Sequence, residues 1–244
     1  MEMIQKKIPT FLDIYWTVII REILGWNKDY DELMKEKEFL EKLKKRPEKL
    51  SHKEIKEYLL KFLNKWGCRI KKEEYNTVSE KLKDFFEKYR GKFFEGECLL
   101  SFNFRQYKER LIKILKELND INEVGPTAMS KILHILNPRL FVMWDMKIAE
   151  GLGFEHSEEG YLKFLQEMQK YAKNINETYR IRMHSSEESI EIFLNKKLGL
   201  KIKYTLTKFI DEYNWIKYTK KGRLPTDWKE AENLLKEIYC MEIH

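Results

Sequence analysis

Two short stretches of this 244-residue chain set residue types at spacings that can do chemistry. In Ile121-Asn122-Glu123-Val124-Gly125-Pro126-Thr127-Ala128-Met129-Ser130-Lys131, a glycine and a proline stand where a turn passes into a helix. Gly125 lets the backbone approach a partner closely, and Pro126 is preset for the first helical position. The free N–H groups and positive dipole end of the new helix then make a phosphate site. Lys131 lies one turn further on. It is placed either to reach a phosphate or to stand as an ordinary surface lysine. Beyond this helix, the apolar run Phe141-Val142-Met143-Trp144 ends in Asp145. Partly apolar surroundings, here Met143 and Trp144, strengthen the action of a carboxylate on a nearby positive charge. The same residue is equally placed to cap a helix starting at Met146. His134 reads as a packed or surface histidine, while His52, His156, His184 and His244 share no ligand spacing.

The elements that must position these groups are helical almost throughout. Leu33, Phe39, Leu40 and Leu43 predict a helix over 29–45, ended by Arg46-Pro47. Ser51 stands three residues before Glu54 as a capping box and opens a helix through Leu59, Phe62, Leu63 and Trp66, which Gly67 stops. Further helices are predicted over 72–89 and 104–118, with a loop over 91–101 between them. Ser157 caps another, and Ser185 or Ser186 opens one that Gly199 closes. Two final helices are expected over 204–218 and 227–239. Alternation typical of a strand is confined to weak cases at 141–144 and 201–205. The fold class expected is all-α: one unit over 1–244 with two lobes and a cleft between them. Residues 1–100 with the C-terminal helices form one lobe, and 101–200, containing the helix–turn–helix segment, form the other. Among the aromatics, Trp16, Trp26, Phe62 and Trp66 are candidates to line a pocket. Trp215, Tyr218 and Trp228 read as core, and Cys68 as apolar filling.

Composition narrows the possibilities. Lys and Arg number 47 against 40 Asp and Glu, a formal net charge of +7, with 43% hydrophobic residues. That describes a globular chain, not a disordered one, and its mild positive excess suits an anionic partner. Lys and Glu dominate the charge, a bias common in proteins from hot environments. The three cysteines lie far apart, which excludes a disulfide framework or a Cys-rich metal cluster. No apolar run approaches the ~18 residues of a membrane span, and the N-terminus lacks a signal-peptide core. The expectation is a monomer without metal or cofactor in a reducing, intracellular setting, cytoplasmic or nucleoid-associated.

Val124-Gly125, Asp145-Met146-Lys147-Ile148 and Gly151-Leu152-Gly153 together resemble the helix-hairpin-helix (HhH-GPD) DNA glycosylase superfamily, the fold of endonuclease III and the 8-oxoguanine glycosylases. Members carry a Leu-Pro-Gly-Val-Gly hairpin, a helix, an apolar run with Val-Asp-Thr-His-Val, and then Arg-Leu-Gly. The step from Gly125 to Asp145 is similar to the family spacing, and roughly thirty residues carry the match. Asn122 and Glu123 stand where the family prefers Pro and Gly, and Thr127 stands where bifunctional members keep a nucleophilic lysine. The cysteine-cluster loop of some members is missing. The resemblance implies base-excision repair by a monofunctional N-glycosylase that releases a damaged or mispaired base from double-stranded DNA. Asp145 is implied as the catalytic carboxylate, and Val124, Gly125, Thr127 and Lys131 as DNA contacts. A Schiff base at position 127 is not expected without the lysine. The other readings are a non-catalytic helix-hairpin-helix module that binds nucleic acid or protein, and a hairpin kept as a relic of the fold.

Overall fold

Thr10 starts the first helix, α1 (Phe11–Leu24), through a reciprocal box in which its hydroxyl accepts from the Asp13 amide and its own amide donates to the Asp13 carboxylate. The computed structural model describes residues 8–225 except Trp26, residues 185–187, Leu198, Lys201 and Arg223, together with Glu230. Among the described residues every regular element is helical. None of these helices is long and apolar enough to cross a membrane. The expected helices over 227–239 and the Ser185 or Ser186 cap lie outside the described residues.

The single helix expected over 29–45 is two, α2 (Lys28–Lys35) and α3 (Lys37–Lys45), broken at Glu36. Tyr30 and Phe39 are both buried, yet nine residues put them half a turn out of phase in one continuous helix. The break re-phases the chain so that both reach the core. The Ser51–Glu54 box forms as expected and opens α4 (His52–Glu54). A π-turn over Ile55–Leu60 leads into α5 (Lys61–Lys65). Then come α6 (Tyr75–Lys88), α7 (Phe104–Asn119), α8 (Pro126–Leu136), α9 (Met146–Gly151), α10 (Glu158–Arg182), α11 (Ile190–Lys197) and α12 (Leu206–Asn214). A further π-turn, Trp215–Thr219, extends α12.

One apolar core runs from Phe11 to Tyr213. α10 presents Tyr161, Leu165, Met168, Ala172, Ile175 and Tyr179 to it at helical spacing. This long helix packs on α1, α7, α8 and α12. α8 is buried on every side from Ala128 onward, so its polar side chains must be satisfied inside. The Ser130 hydroxyl donates to the Thr127 carbonyl and accepts from the Trp144 amide.

The apolar run 141–144 has no regular secondary structure and is not a strand. Side chains satisfy its backbone in place of a neighbouring strand. His134 Nδ1 bonds the Phe141 carbonyl at 2.7 Å, the Tyr161 hydroxyl donates to the Val142 carbonyl at 2.8 Å, and Ser130 takes the Trp144 amide. With Nδ1–H committed to that carbonyl, His134 Nε2 accepts from the Tyr30 hydroxyl at 3.0 Å. Burial holds the imidazole neutral, its pKa pushed down to about 3 despite the bond to Phe141. Between that value and the ordinary ~6.5, the unfolded chain binds a proton that the folded chain refuses. Stability is therefore expected to fall as pH drops from about 6.5 toward 3, by up to ~1.4 kcal/mol per pH unit from this group. Urea unfolding at pH 7 and pH 5 of the parent and of His134→Gln tests this. The variant should show a smaller pH dependence, and equal slopes in both proteins would contradict the assignment.

Candidate functional site

The hairpin segment folds as α7, a tight turn and α8. The turn closes with the Val124 amide donating to the Ile121 carbonyl at 2.9 Å. Glu123 takes a left-handed φ of 67°, a conformation that side chains other than glycine adopt at some cost. Its carboxylate lies 3.3 Å from the Lys71 ammonium. Gly125 is the N-cap of α8 and offers no side chain to the first amides. A methyl group built on Gly125 would meet nothing within 4 Å, so its backbone faces open space. Val124 is buried in the core, which leaves only backbone atoms there to face a partner. The half-buried Thr127 hydroxyl bonds His156 Nε2 at 3.1 Å.

Asp145 is the N-cap of α9. Its Oδ1 accepts from the Ile148 amide at 2.8 Å, and its Oδ2 accepts from the Thr219 hydroxyl at 2.8 Å. Thr219 ends the π-turn that follows α12, and α9 packs on that turn. The close approach explains Gly151: a Cβ there would stand 2.5 Å from the Tyr218 ring. Asp145 and Glu150 favour a charged His156, but burial prevails and lowers its pKa.

Asp145 also lines a cavity of about 270 Å³. Its lining residues come from α1, α2, α5, α8, α9, α12 and the π-turn after α12, and from the segments next to them. Its aromatic lining residues are Trp66, Trp144 and Trp215, of which Trp144 is buried with its ring against His156, Tyr161 and Phe164. Of the pocket candidates named from sequence, Trp66 reaches the cavity, Trp16 and Phe62 are buried in the core, and Trp26 lies outside the described residues. Trp215, expected as core, is half-buried and lines the cavity, while Trp228 lies outside the described residues.

Lys131 is buried rather than at the outer face of the hairpin. Its ammonium donates to the Trp66 carbonyl and lies 3.7 Å from Cys68 Sγ. It lines the cavity. Cys68 is half-buried, and desolvation raises its thiol pKa against the opposing pull of Lys131.

The cavity floor holds a charged cluster that sequence reading misses. Lys208, 1% exposed, pairs with Asp211 at 2.9 Å and with Glu212 at 3.0 Å. Arg21 reaches Glu212 from α1 at 2.7 Å, and Asn27 donates to the same carboxylate at 2.6 Å. The Lys208 ammonium stands 4.9 Å from the ring centres of both Tyr30 and Trp66. Burial raises the Asp211 pKa, with Lys208 opposing it. Along α12, Lys208, Asp211 and Glu212 occupy the face opposite Phe209, Ile210 and Tyr213, the pattern of an ordinary solvated stripe. Packing of α1 on α12, with Asn27, Tyr30 and Trp66 against the charged groups, encloses them.

Among the described residues, no three His, Cys, Asp or Glu side chains converge as a metal site. The cavity gathers indoles, carboxylates and cations in one enclosure, and the entry of α8 at Gly125 faces open space. Compared with protein-family models, curated proteins and solved structures, the chain finds no match in any of the three.

Proposed function

We propose that this chain is a DNA N-glycosylase that hydrolyses the bond between a damaged or mispaired base and its deoxyribose. The observation that carries the reading is Asp145: a fixed carboxylate that shares an indole-walled cavity and stands twenty residues beyond the hairpin glycine. A base must leave the duplex stack to be cut, at a cost of a few kcal/mol. The half-buried indoles of Trp66 and Trp215 supply planar contact that offsets part of it. The amides opening α8 hold the phosphate backbone.

In this reaction the electron pair of the N-glycosidic bond leaves with the base, and positive charge builds on the sugar. The Asp145 carboxylate stabilises that charge and orients a water. The water oxygen bonds to C1′, one of its protons is lost, and the departing base gains one. Thr127, bonded to His156, takes no part in bond making.

A second reading is favoured by one observation: each Asp145 oxygen already accepts a hydrogen bond, from Ile148 and Thr219, as a purely structural cap would. In that case the chain is a non-catalytic module that binds nucleic acid through the hairpin. Incubation with duplexes that each hold one lesion or mismatch, followed by alkali, separates the two. Alkali-labile sites in at least one duplex are expected. Binding to duplexes with no base released from any of them would leave the module.

A further inference from the structure

Asp145 is gripped from two sides by bonds of different origin. The bond from the Ile148 amide to Oδ1 is local, the cap that an aspartate at this position of a helix makes. The bond to Oδ2 comes from the Thr219 hydroxyl, 74 residues further along the chain, and helix capping does not require it. A carboxylate tied through one oxygen can still turn about its Cβ–Cγ bond. Tied through both, its plane is fixed. An ionised carboxylate has about four lone-pair sites on its two oxygens, so these two bonds hold it without using up its power to accept a proton or oppose a positive charge.

The chain brings Thr219 to this oxygen through a turn that departs from α geometry. The Lys220 amide donates to the Trp215 carbonyl at 2.9 Å, five residues back instead of the usual four. Single π-turns within helices frequently stand at functional sites. Trp215 and Ile216 of the same turn line the cavity that Asp145 lines. Gly151 permits the close approach of α9, because a Cβ on it would crowd the ring of Tyr218, the neighbour of Thr219. Resting on the glycosylase reading, we infer that Thr219 is a positioning residue: its hydroxyl fixes the plane of the Asp145 carboxylate that stabilises the sugar cation and orients the water. Thr219 itself touches neither the sugar nor the water and acts only through Asp145.

The test is a series at one position in the full chain, read as single-turnover base release from a lesion-bearing duplex with duplex affinity measured in parallel. Thr219→Val keeps the shape and deletes the hydroxyl, Thr219→Ser keeps the hydroxyl and deletes the methyl group, and Thr219→Ala deletes both. Release by the Val and Ala variants should fall about 10-fold or more, the scale of one hydrogen bond to a charged group. Duplex affinity should stay within a factor of about two, because the lost interaction serves the transition state and not binding. Water can donate in place of the hydroxyl, but it does not hold the carboxylate still. The Ser variant, with its donor intact, should release base within about threefold of the parent. A role in packing alone predicts the opposite order, since Val fills the site better than Ser, and urea unfolding of each variant separates stability from rate. Two variants lack the hydroxyl, so the outcome does not depend on either one folding. Release by Val or Ala at the parent rate, or release by Ser as slow as by Val, would overturn the assignment and leave the glycosylase reading standing. No base released by the parent from any duplex would sink the glycosylase reading and this assignment with it.

Discussion

Truncating Glu212 to alanine is expected to destabilise the protein by about 3–5 kcal/mol, the cost typical of removing one partner from a buried ion pair. The carboxylate faces three donors on one oxygen. Its loss leaves Arg21 with Glu22, whose side chain is 47% exposed, and Lys208 with Asp211. Two buried cations would then share less negative charge in surroundings that offer them little water. Such a loss is a large fraction of the 5–15 kcal/mol by which domains are usually stable. Glu22→Ala makes the comparison, because a largely exposed carboxylate contributes ~1 kcal/mol or less. Urea midpoints of the two variants at pH 7 decide the matter. A shift for Glu212→Ala no larger than that for Glu22→Ala would show that the cluster is solvated in solution.

Legibility in the sequence differs from one element to the next, for physical reasons. Capping boxes are local: Ser51 with Glu54 needs only four residues, and it forms as read. Asp145 as a helix cap was visible for the same reason. The pattern of all-helical segments was legible because apolar residues at helical spacing need no knowledge of their partners. The break at Glu36 was hidden, because each half of 29–45 is a good helix and only the need to bury both Tyr30 and Phe39 divides it. The run 141–144 reads weakly as a strand because it is apolar throughout, whereas its backbone is satisfied by Ser130, His134 and Tyr161 from distant positions. Lys131 and the Lys208–Asp211–Glu212 group were beyond reach. Charge on a helix face looks the same whether water or a neighbouring helix covers it, and here the cover is tertiary.

Replacing Asp145 by asparagine is the substitution with the largest expected effect on the proposed chemistry. Asparagine caps helices about as well as aspartate, so its side-chain oxygen can still accept from the Ile148 amide. Its amide group can donate to the Thr219 hydroxyl, which now acts as the acceptor. The packing of α9 on the π-turn is therefore retained. Only the negative charge is lost, and with it the group that opposes positive charge on the sugar in the transition state. Removing a preorganised group of this kind typically costs ~10²-fold or more in rate. Thr127→Ala, which removes a hydroxyl bonded to His156, should change the rate far less, because water and not that side chain attacks the sugar.

The most direct measurement is single-turnover base release by the parent and by Asp145→Asn on the same lesion-bearing duplex, with duplex affinity read in parallel. The proposed mechanism predicts that release falls by at least ~10²-fold in the variant, while affinity for the duplex is unchanged or tighter. Release by Asp145→Asn at the parent rate would contradict it and leave Asp145 as the N-cap of α9 alone.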